Sequence, residues 1–237
     1  MELLVLDIET DGLTANRDSI VEIGVVILNT NTGNIEKAFH SLIREENHEL
    51  DESAWIFGHS TLTANEVKAN GVSINQIRSQ LQLLLSKYPS IAYNCKFDFG
   101  FLNYRKFDIP KVAPDPMFLM TDVLKIKNSR GGYKWPTVQE CLNYFGIKEA
   151  EPHRAQEDAV LEARIIYEMI KKGIYKLDTS IFMADTPELK ILRYKAKIES
   201  YDHLLEVINE KRTFCLNKIT ELEKKTEPVK ESIAEMQ

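Results

Sequence analysis

Two apolar runs near the start of the chain, residues 3–7 (LLVLD) and 20–28 (IVEIGVVIL), are β-branched and leucine-rich and are bounded by turn residues. Both read as strands. The segment that follows the second, NTNTGN from Asn29 to Asn34, is the kind of Gly- and Asn-rich stretch that reverses a chain, and a third strand follows at about 35–43. Three consecutive strands therefore open the chain as an antiparallel meander. After a loop through Trp55 and His59, Ile74, Ile77, Leu81, Leu84 and Leu85 recur at helical spacing, and Pro89 closes that helix. SIAYN (90–94) reads as a fourth strand leading into a helix near Asp98, MFLMTD (117–122) as a fifth strand, and helices are expected at about 136–145 and 155–172. This order predicts an α/β layered domain over residues 1–174, a mixed five-stranded sheet flanked by helices.

The pattern changes after Gly173. From Ile191 a heptad frame places Ile191, Ile198, Leu205, Arg212 and Ile219 at one seam position and Tyr194, Tyr201, Ile208, Cys215 and Leu222 at the other. Residues 175–237 are expected to form a long helix, a coiled coil or a helical hairpin that binds a partner, with Pro228 ending the continuous helix. A helix folded back on the enzyme body is the alternative, because Leu192, Leu204, Val207, Phe214 and Leu216 widen the stripe.

With 43% hydrophobic and 28% charged residues, the 237-residue chain is unlike a disordered or collagen-like one. No run approaches the roughly 20 apolar residues that cross a bilayer, and MELLVLDIET lacks the basic leader of an export signal. Three cysteines, Cys95, Cys141 and Cys215, with no CxxC pair, predict reduced thiols and a cytoplasmic protein. The formal charge is −6, yet residues 1–174 hold 24 acidic against 19 basic side chains, and four of those acids are candidates for holding cations. Net charge thus excludes neither phosphate substrates nor small molecules. Lys96, Arg105, Lys106, Lys125, Lys127, Arg130, Lys134 and Arg154 are available for a basic approach, scattered surface charge being the simpler account.

Three acidic motifs carry chemistry. Asp7 and Glu9 end the first strand two residues apart, so they share a face, where two carboxylates repel unless a cation lies between them. Asp98 falls at a strand-to-helix junction, a position that an ordinary N-cap also fills. His153 precedes Asp158 by five residues at the start of an amphipathic helix, which alone would be an ordinary charged first turn.

Together and in this order the motifs resemble those of the DEDDh family of 3′–5′ exonucleases, which includes the proofreading subunit of bacterial replicative polymerases. DxETTG is matched by Asp7-Ile8-Glu9-Thr10-Asp11-Gly12 with one departure, Asp11; HNxxFD by Asn94 to Asp98 with Tyr93 in the leading place; HxAxxD by His153, Ala155 and Asp158. Ile20 to Val26 resembles the family's second strand, and the resemblance spans about residues 3–172. It implies a ribonuclease H-like fold and a pair of divalent metal ions, Mg2+ or Mn2+, held by Asp7, Glu9, Asp98 and Asp158. Hard oxygen donors suit those ions, and two such ions activate water and stabilise charge on the attacking and leaving oxygens of a phosphodiester. His153 is then the expected general base, an imidazole being suited by its unperturbed pKa.

The resemblance also implies substrate contacts at Thr10, Gly12, Leu13, Asn94 and Phe97, with His59 in an altered version of a family loop. Phe97 is equally explained as core packing, and Gly12 as a plain turn. The expected substrate is the 3′ end of single-stranded nucleic acid, DNA favoured over RNA, releasing nucleoside monophosphates. A polymerase or a second copy of the chain is the expected contact of the C-terminal helix. An assembly protein and a non-catalytic binding module are the competing readings.

Overall fold

The computed structural model describes residues 1–46, 48–129, 131–177, 209 and 212–220. The opening meander forms as expected. Strand β1 (Glu2–Thr10) pairs antiparallel with β2 (Ile20–Asn29), and β2 pairs antiparallel with β3 (Ile35–Leu42). The reversal between β2 and β3 is closed by Asn29, whose Oδ1 accepts the N–H groups of Asn31 and Thr32, and by Gly33 at φ 78°. A short β4 (Ser90–Ile91) lies parallel to β1 on its other side, giving the order β3-β2-β1-β4. Leu3, Leu4, Val5 and Leu6 are all fully buried, so β1 is covered on both faces, which is why it reads as a continuous apolar run.

Seven helices accompany the sheet among the described residues of Met1–Met183: α1 (Trp55–His59), α2 (Ala64–Asn70), α3 (Ile74–Lys87), α4 (Cys95–Tyr104), α5 (Pro116–Leu124), α6 (Val138–Phe145) and α7 (Ala155–Lys171). Helix α3 buries Ile77, Leu81 and Leu85, the stripe its spacing predicts, and starts at a Ser73–Gln76 capping box. Helix α6 opens with a second capping box, Thr137–Glu140. The stretch read as a loop through Trp55 and His59 holds α1 and α2, which seal a small cluster of Ala54, Ile56, Leu62 and Val67 against Val21 of β2. Helices this short are stabilised by packing rather than by their own periodicity, which their length cannot display.

The expected fifth strand at 117–122 is instead helix α5. Asp115 caps it by accepting the Met117 N–H, Pro116 occupies its first turn, and Met117 and Met120 are buried three apart. An apolar run of Met, Phe and Leu, none branched at Cβ, does not distinguish strand from helix by period, and the Asp-Pro start signal decides it. The sheet therefore has four strands. Beside β4 the chain makes a single parallel bridge, Ser90 with Val112, in which the Ser90 N–H donates to Lys111 O at 2.7 Å and the Ala113 N–H to Ser90 O at 2.9 Å.

Tyr175, beyond α7, is buried and donates its hydroxyl to Pro114 O at 2.7 Å. Of the expected C-terminal heptads only Arg212, Cys215 and Ile219 are described, in helix, and the remaining positions lie outside the described residues. Cys95 and Cys141 are buried free thiols, and Cys215 is a free, exposed one. Among the described residues no helix is long and apolar enough to cross a membrane.

Candidate active site

The end of β1 is held by a residue from another element. The N–H of Ile8, between Asp7 and Glu9, donates to Asp98 Oδ1 at 3.2 Å, so the second acidic motif is tied to the first. Asp98 is only 3% exposed, in the first turn of α4. The chain turns into α4 at Asn94, which has φ 68° in the left-handed region that Asn tolerates. Asp115 stabilises this turn by accepting the Asn94 N–H at 3.2 Å and the Cys95 N–H at 2.8 Å while also capping α5. Tyr93, in the leading place of the motif, is buried, its hydroxyl donating to Pro136 O at 2.6 Å.

The third motif reaches the same place because α7 starts against the sheet. A Cβ at Gly24, opposite Asp7 in the register, would lie 2.2 Å from the Ala155 carbonyl carbon and 2.3 Å from Gln156 N. Only a residue without a side chain allows that approach. Glu22, opposite Glu9, has a fully buried side chain that accepts from Arg154 Nε and Nη2, from the Ala155 N–H at 3.1 Å, and lies 2.7 Å from His40 Nε2. This fixes Arg154 and leaves the neighbouring His153, at φ 54°, beside Glu9. Ligand atoms of Glu9, His153 and Asp158 all lie within 4.8 Å of one another. The ordinary role of Asp158 is also present, since its Oδ2 accepts the Arg154 N–H at 2.8 Å.

The electrostatics of this cluster are those of acids forced together without a counter-charge. Burial, then repulsion from Glu162, Glu9, Asp98 and Asp158, holds Asp7 well above the usual carboxylate range. Glu9 is pushed up to about 9 by burial and then by Asp158, Glu22, Asp98 and Glu151. Burial dominates for Asp98, at about 8, and for Asp158, at about 7. Glu22 is the exception: burial opposes its ionisation, but hydrogen bonds from His40, Arg154 and Ala155 hold it below its ordinary value. Asp158 Oδ1 is buried with no hydrogen-bond partner among the described residues, which otherwise costs stability. An unpartnered carboxylate oxygen amid repelling oxygen donors is what a hard divalent cation satisfies, so the residues fit the metal that the acidic motifs imply.

The expected substrate residues have local roles of their own, and one of them, His59, connects to the centre through Trp55. Thr10 donates to Gly12 O at 2.6 Å, and a Cβ on Gly12 would strike Asp18 at 2.3 Å, so packing accounts for that glycine. Leu13 is 83% exposed. Asn94 precedes α4 without a capping side-chain hydrogen bond, and Phe97 is half-buried against Phe101, ring centroids 5.0 Å apart, consistent with the packing alternative. His59 is exposed and stacks on Trp55 at 4.3 Å, and Trp55 meets the His153 ring edge-on at 4.9 Å.

Several residues of this neighbourhood escape a reading by motif. Glu22 carried a signal in being a lone acid within an apolar strand, Asp115 in its Asp-Pro step, and Glu162 in lying one helical turn beyond Asp158. Glu162 is buried, accepts the Tyr93 N–H at 3.2 Å and is pushed well above the carboxylate range by burial and Asp98. Trp55 had no pattern to mark it. The proposed basic approach is reduced: Arg105 is buried against Glu45, Arg154 pairs with Glu22, Lys134 pairs with Glu140, and Arg130 lies outside the described residues.

A mixed sheet that gathers acids from β1, α4 and α7 at one end is the architecture of ribonuclease H-like exonucleases of the DEDDh type. The sequence matches the exonuclease family RNase_T over residues 4–166, and the chain belongs to that family. It is 30% identical over 199 residues to the DNA polymerase III PolC-type of Thermotoga maritima, covering 80% of this chain and 14% of that protein. It is 28% identical over 215 residues to the 3′-5′ exonuclease DinG of Bacillus subtilis, covering 88% of this chain and 21% of that protein. The chain thus spans a small part of these relatives' length. Among solved structures, the nuclease domain of 3′hExo, a DEDDh family member bound to rAMP, superposes with a TM-score of 0.57 at 19% identity, covering 75% of this chain and 96% of that one. E. coli Exonuclease I in complex with a dT13 oligonucleotide gives 0.57 at 17% identity, covering 72% and 41%. At these identities the likeness is one of fold.

Proposed function

We propose that this chain hydrolyses phosphodiester bonds one at a time from the 3′ end of single-stranded DNA, releasing nucleoside monophosphates. The observation that carries this reading is the convergence of Glu9, His153 and Asp158 within 4.8 Å, with Asp158 Oδ1 buried and unpartnered. Asp7, Glu9, Asp98 and Asp158 would hold two divalent cations, Mg2+ or Mn2+. Bound there, the cations supply charge neutralisation for the attacking and leaving oxygens and lower the pKa of water.

The remaining work falls to the chain. His153 takes the proton of the attacking water, its ring oriented by the edge contact with Trp55. The Thr10–Leu13 loop receives the terminal nucleotide, with the exposed Leu13 side chain beside its base, and His59, stacked on the Trp55 that meets His153, is a further contact. Asn94 and Phe97 are the remaining proposed contacts of that nucleotide. DNA is favoured over RNA by the relatives named as DNA polymerases. Residues 175–237 are the proposed partner-binding segment, for a polymerase or a second copy, supported by the exposure of Phe214, Leu216 and Ile219.

The test is turnover on 5′-labelled single-stranded DNA and RNA of matched sequence with magnesium, manganese or chelator. A ladder shortening from the 3′ end, abolished by chelator and by His153→Ala, is expected. Internal scission, or turnover that survives chelator, refutes the mechanism, and faster loss of RNA refutes the substrate preference.

A further inference from the structure

Resting on that reading, the geometry points to a second nucleic-acid contact: an aromatic and basic platform on the α5–α6 connection that binds the single strand upstream of its 3′ end. Phe118 of α5 and Trp135 meet edge to face at 5.7 Å, yet stay 48% and 62% exposed, and Tyr133 nearby is exposed as well. Large aromatic rings left in water beside one another are costly for a soluble surface unless something covers them. The segment between them is a small hairpin, closed by the Lys127–Tyr133 bridge and by the Lys134 N–H donating to Ile126 O at 2.8 Å. Residues 125–136, KIKNSRGGYKWP, contain four basic side chains and no acid. Of these, Lys134 is paired with Glu140, whereas Lys125 and Lys127 are exposed and have no ion-pair partner among the described residues.

Stacking rings beside unneutralised lysines match a single strand, whose bases offer π faces and whose phosphates offer charge. A purely apolar protein partner would leave the lysines unanswered. The platform also has a fixed relation to the acidic centre. Pro136, next to Trp135, accepts the Tyr93 hydroxyl, and Asp115, which caps the helix bearing Phe118, accepts the Asn94 and Cys95 N–H groups. Both halves of the platform are therefore attached to Tyr93–Cys95, the segment that launches Asp98. A strand with its 3′ end among the carboxylates has its upstream bases within reach.

The experiment compares wild type, Trp135→Ala and Lys125→Ala/Lys127→Ala, each with its thermal unfolding recorded. Binding of a fluorescent oligothymidylate of about 12 nucleotides is followed by anisotropy against salt in chelator, and hydrolysis of a thymidine dinucleotide, too short to reach the platform, is followed with metal. Trp135→Ala is expected to weaken oligonucleotide binding by about tenfold, and the lysine pair to flatten its salt dependence. Dinucleotide turnover is expected to keep its wild-type rate. Unchanged oligonucleotide affinity in both variants overturns the proposal, including the case in which Trp135→Ala changes only the oligomeric state. Equal losses on oligonucleotide and dinucleotide also overturn it, since they would mean that the change acts through Tyr93 on the acidic centre. Failure of wild type to hydrolyse either substrate would refute the proposed activity, while the anisotropy arm would still read the platform.

Discussion

Replacing Gly24 by alanine adds one methyl group, and it should disable the site from the opposite strand. The new Cβ would sit 2.2 Å from the Ala155 carbonyl carbon, 2.3 Å from its oxygen and 2.3 Å from Gln156 N, where ordinary contact begins at 3.4 Å. All three atoms are backbone, so no rotamer change relieves the clash. Helix α7 or strand β2 must move by about 1 Å, at an overpacking cost of about 1–3 kcal/mol. Because His153 and Asp158 flank Ala155, the same movement displaces them from Glu9. A misplacement of about 1 Å is expected to cost on the order of 100-fold in turnover. Urea unfolding gives the first quantity, and initial rates on single-stranded DNA at saturating metal give the second. Gly100→Ala in α4 is the matched control, since a Cβ there meets nothing within 4 Å and an added methyl favours helix. A Gly24→Ala enzyme with wild-type stability and rate would refute the account of how α7 is seated.

Three further outcomes follow from the electrostatics. In chelator, thermal stability should fall as pH rises from about 5 towards 9. The unfolded carboxylates ionise near 4, while folded Asp158, Asp98 and Glu9 retain protons to about 7, 8 and 9, so the folded state binds more protons across that window and rising pH works against it. Stabilisation by magnesium or manganese should accordingly be larger at pH 9 than at pH 6, and a pH-independent melting temperature in chelator would contradict this. Asp158→Asn, measured in chelator at pH 8, should gain about 0.5–2 kcal/mol by removing a repelled charge while losing turnover; differential scanning calorimetry and the rate assay read the two effects. Glu22→Ala leaves the Arg154 guanidinium without its buried partner and should cost about 3–5 kcal/mol in urea unfolding, with turnover reduced because the start of α7 is released.

What could be read from the sequence was whatever depends on local period or on spaced acids. Asp7 and Glu9 share a face because a strand alternates, and the stripe of α3 from Ile77 to Leu85 is plain in its spacing. The misassigned strand at 117–122 shows where period fails: Met117, Leu119 and Met120 suit either state, and the deciding residues, Asp115 and Pro116, lie just outside the apolar run. Helices α1 and α2 were hidden because five and seven residues are too few to show a repeat. The supports of the site were harder still, since their partners are far along the chain. Nothing near Glu22 foretells Arg154, 132 positions away, and nothing near Ile8 foretells that its N–H meets Asp98. Gly24, too, owes its place to α7, whose backbone at Ala155 and Gln156 leaves no room for a Cβ.

Convergence of Asp7, Glu9, Asp98 and Asp158 on shared cations can be read in a crystal grown with manganese and a nucleoside 5′-monophosphate. Anomalous scattering is expected between those four carboxylates, with Asp158 Oδ1 among the ligands and the phosphate against the ions. Manganese bound elsewhere, or carboxylates that stay protonated and apart at saturating metal, would contradict the proposed centre.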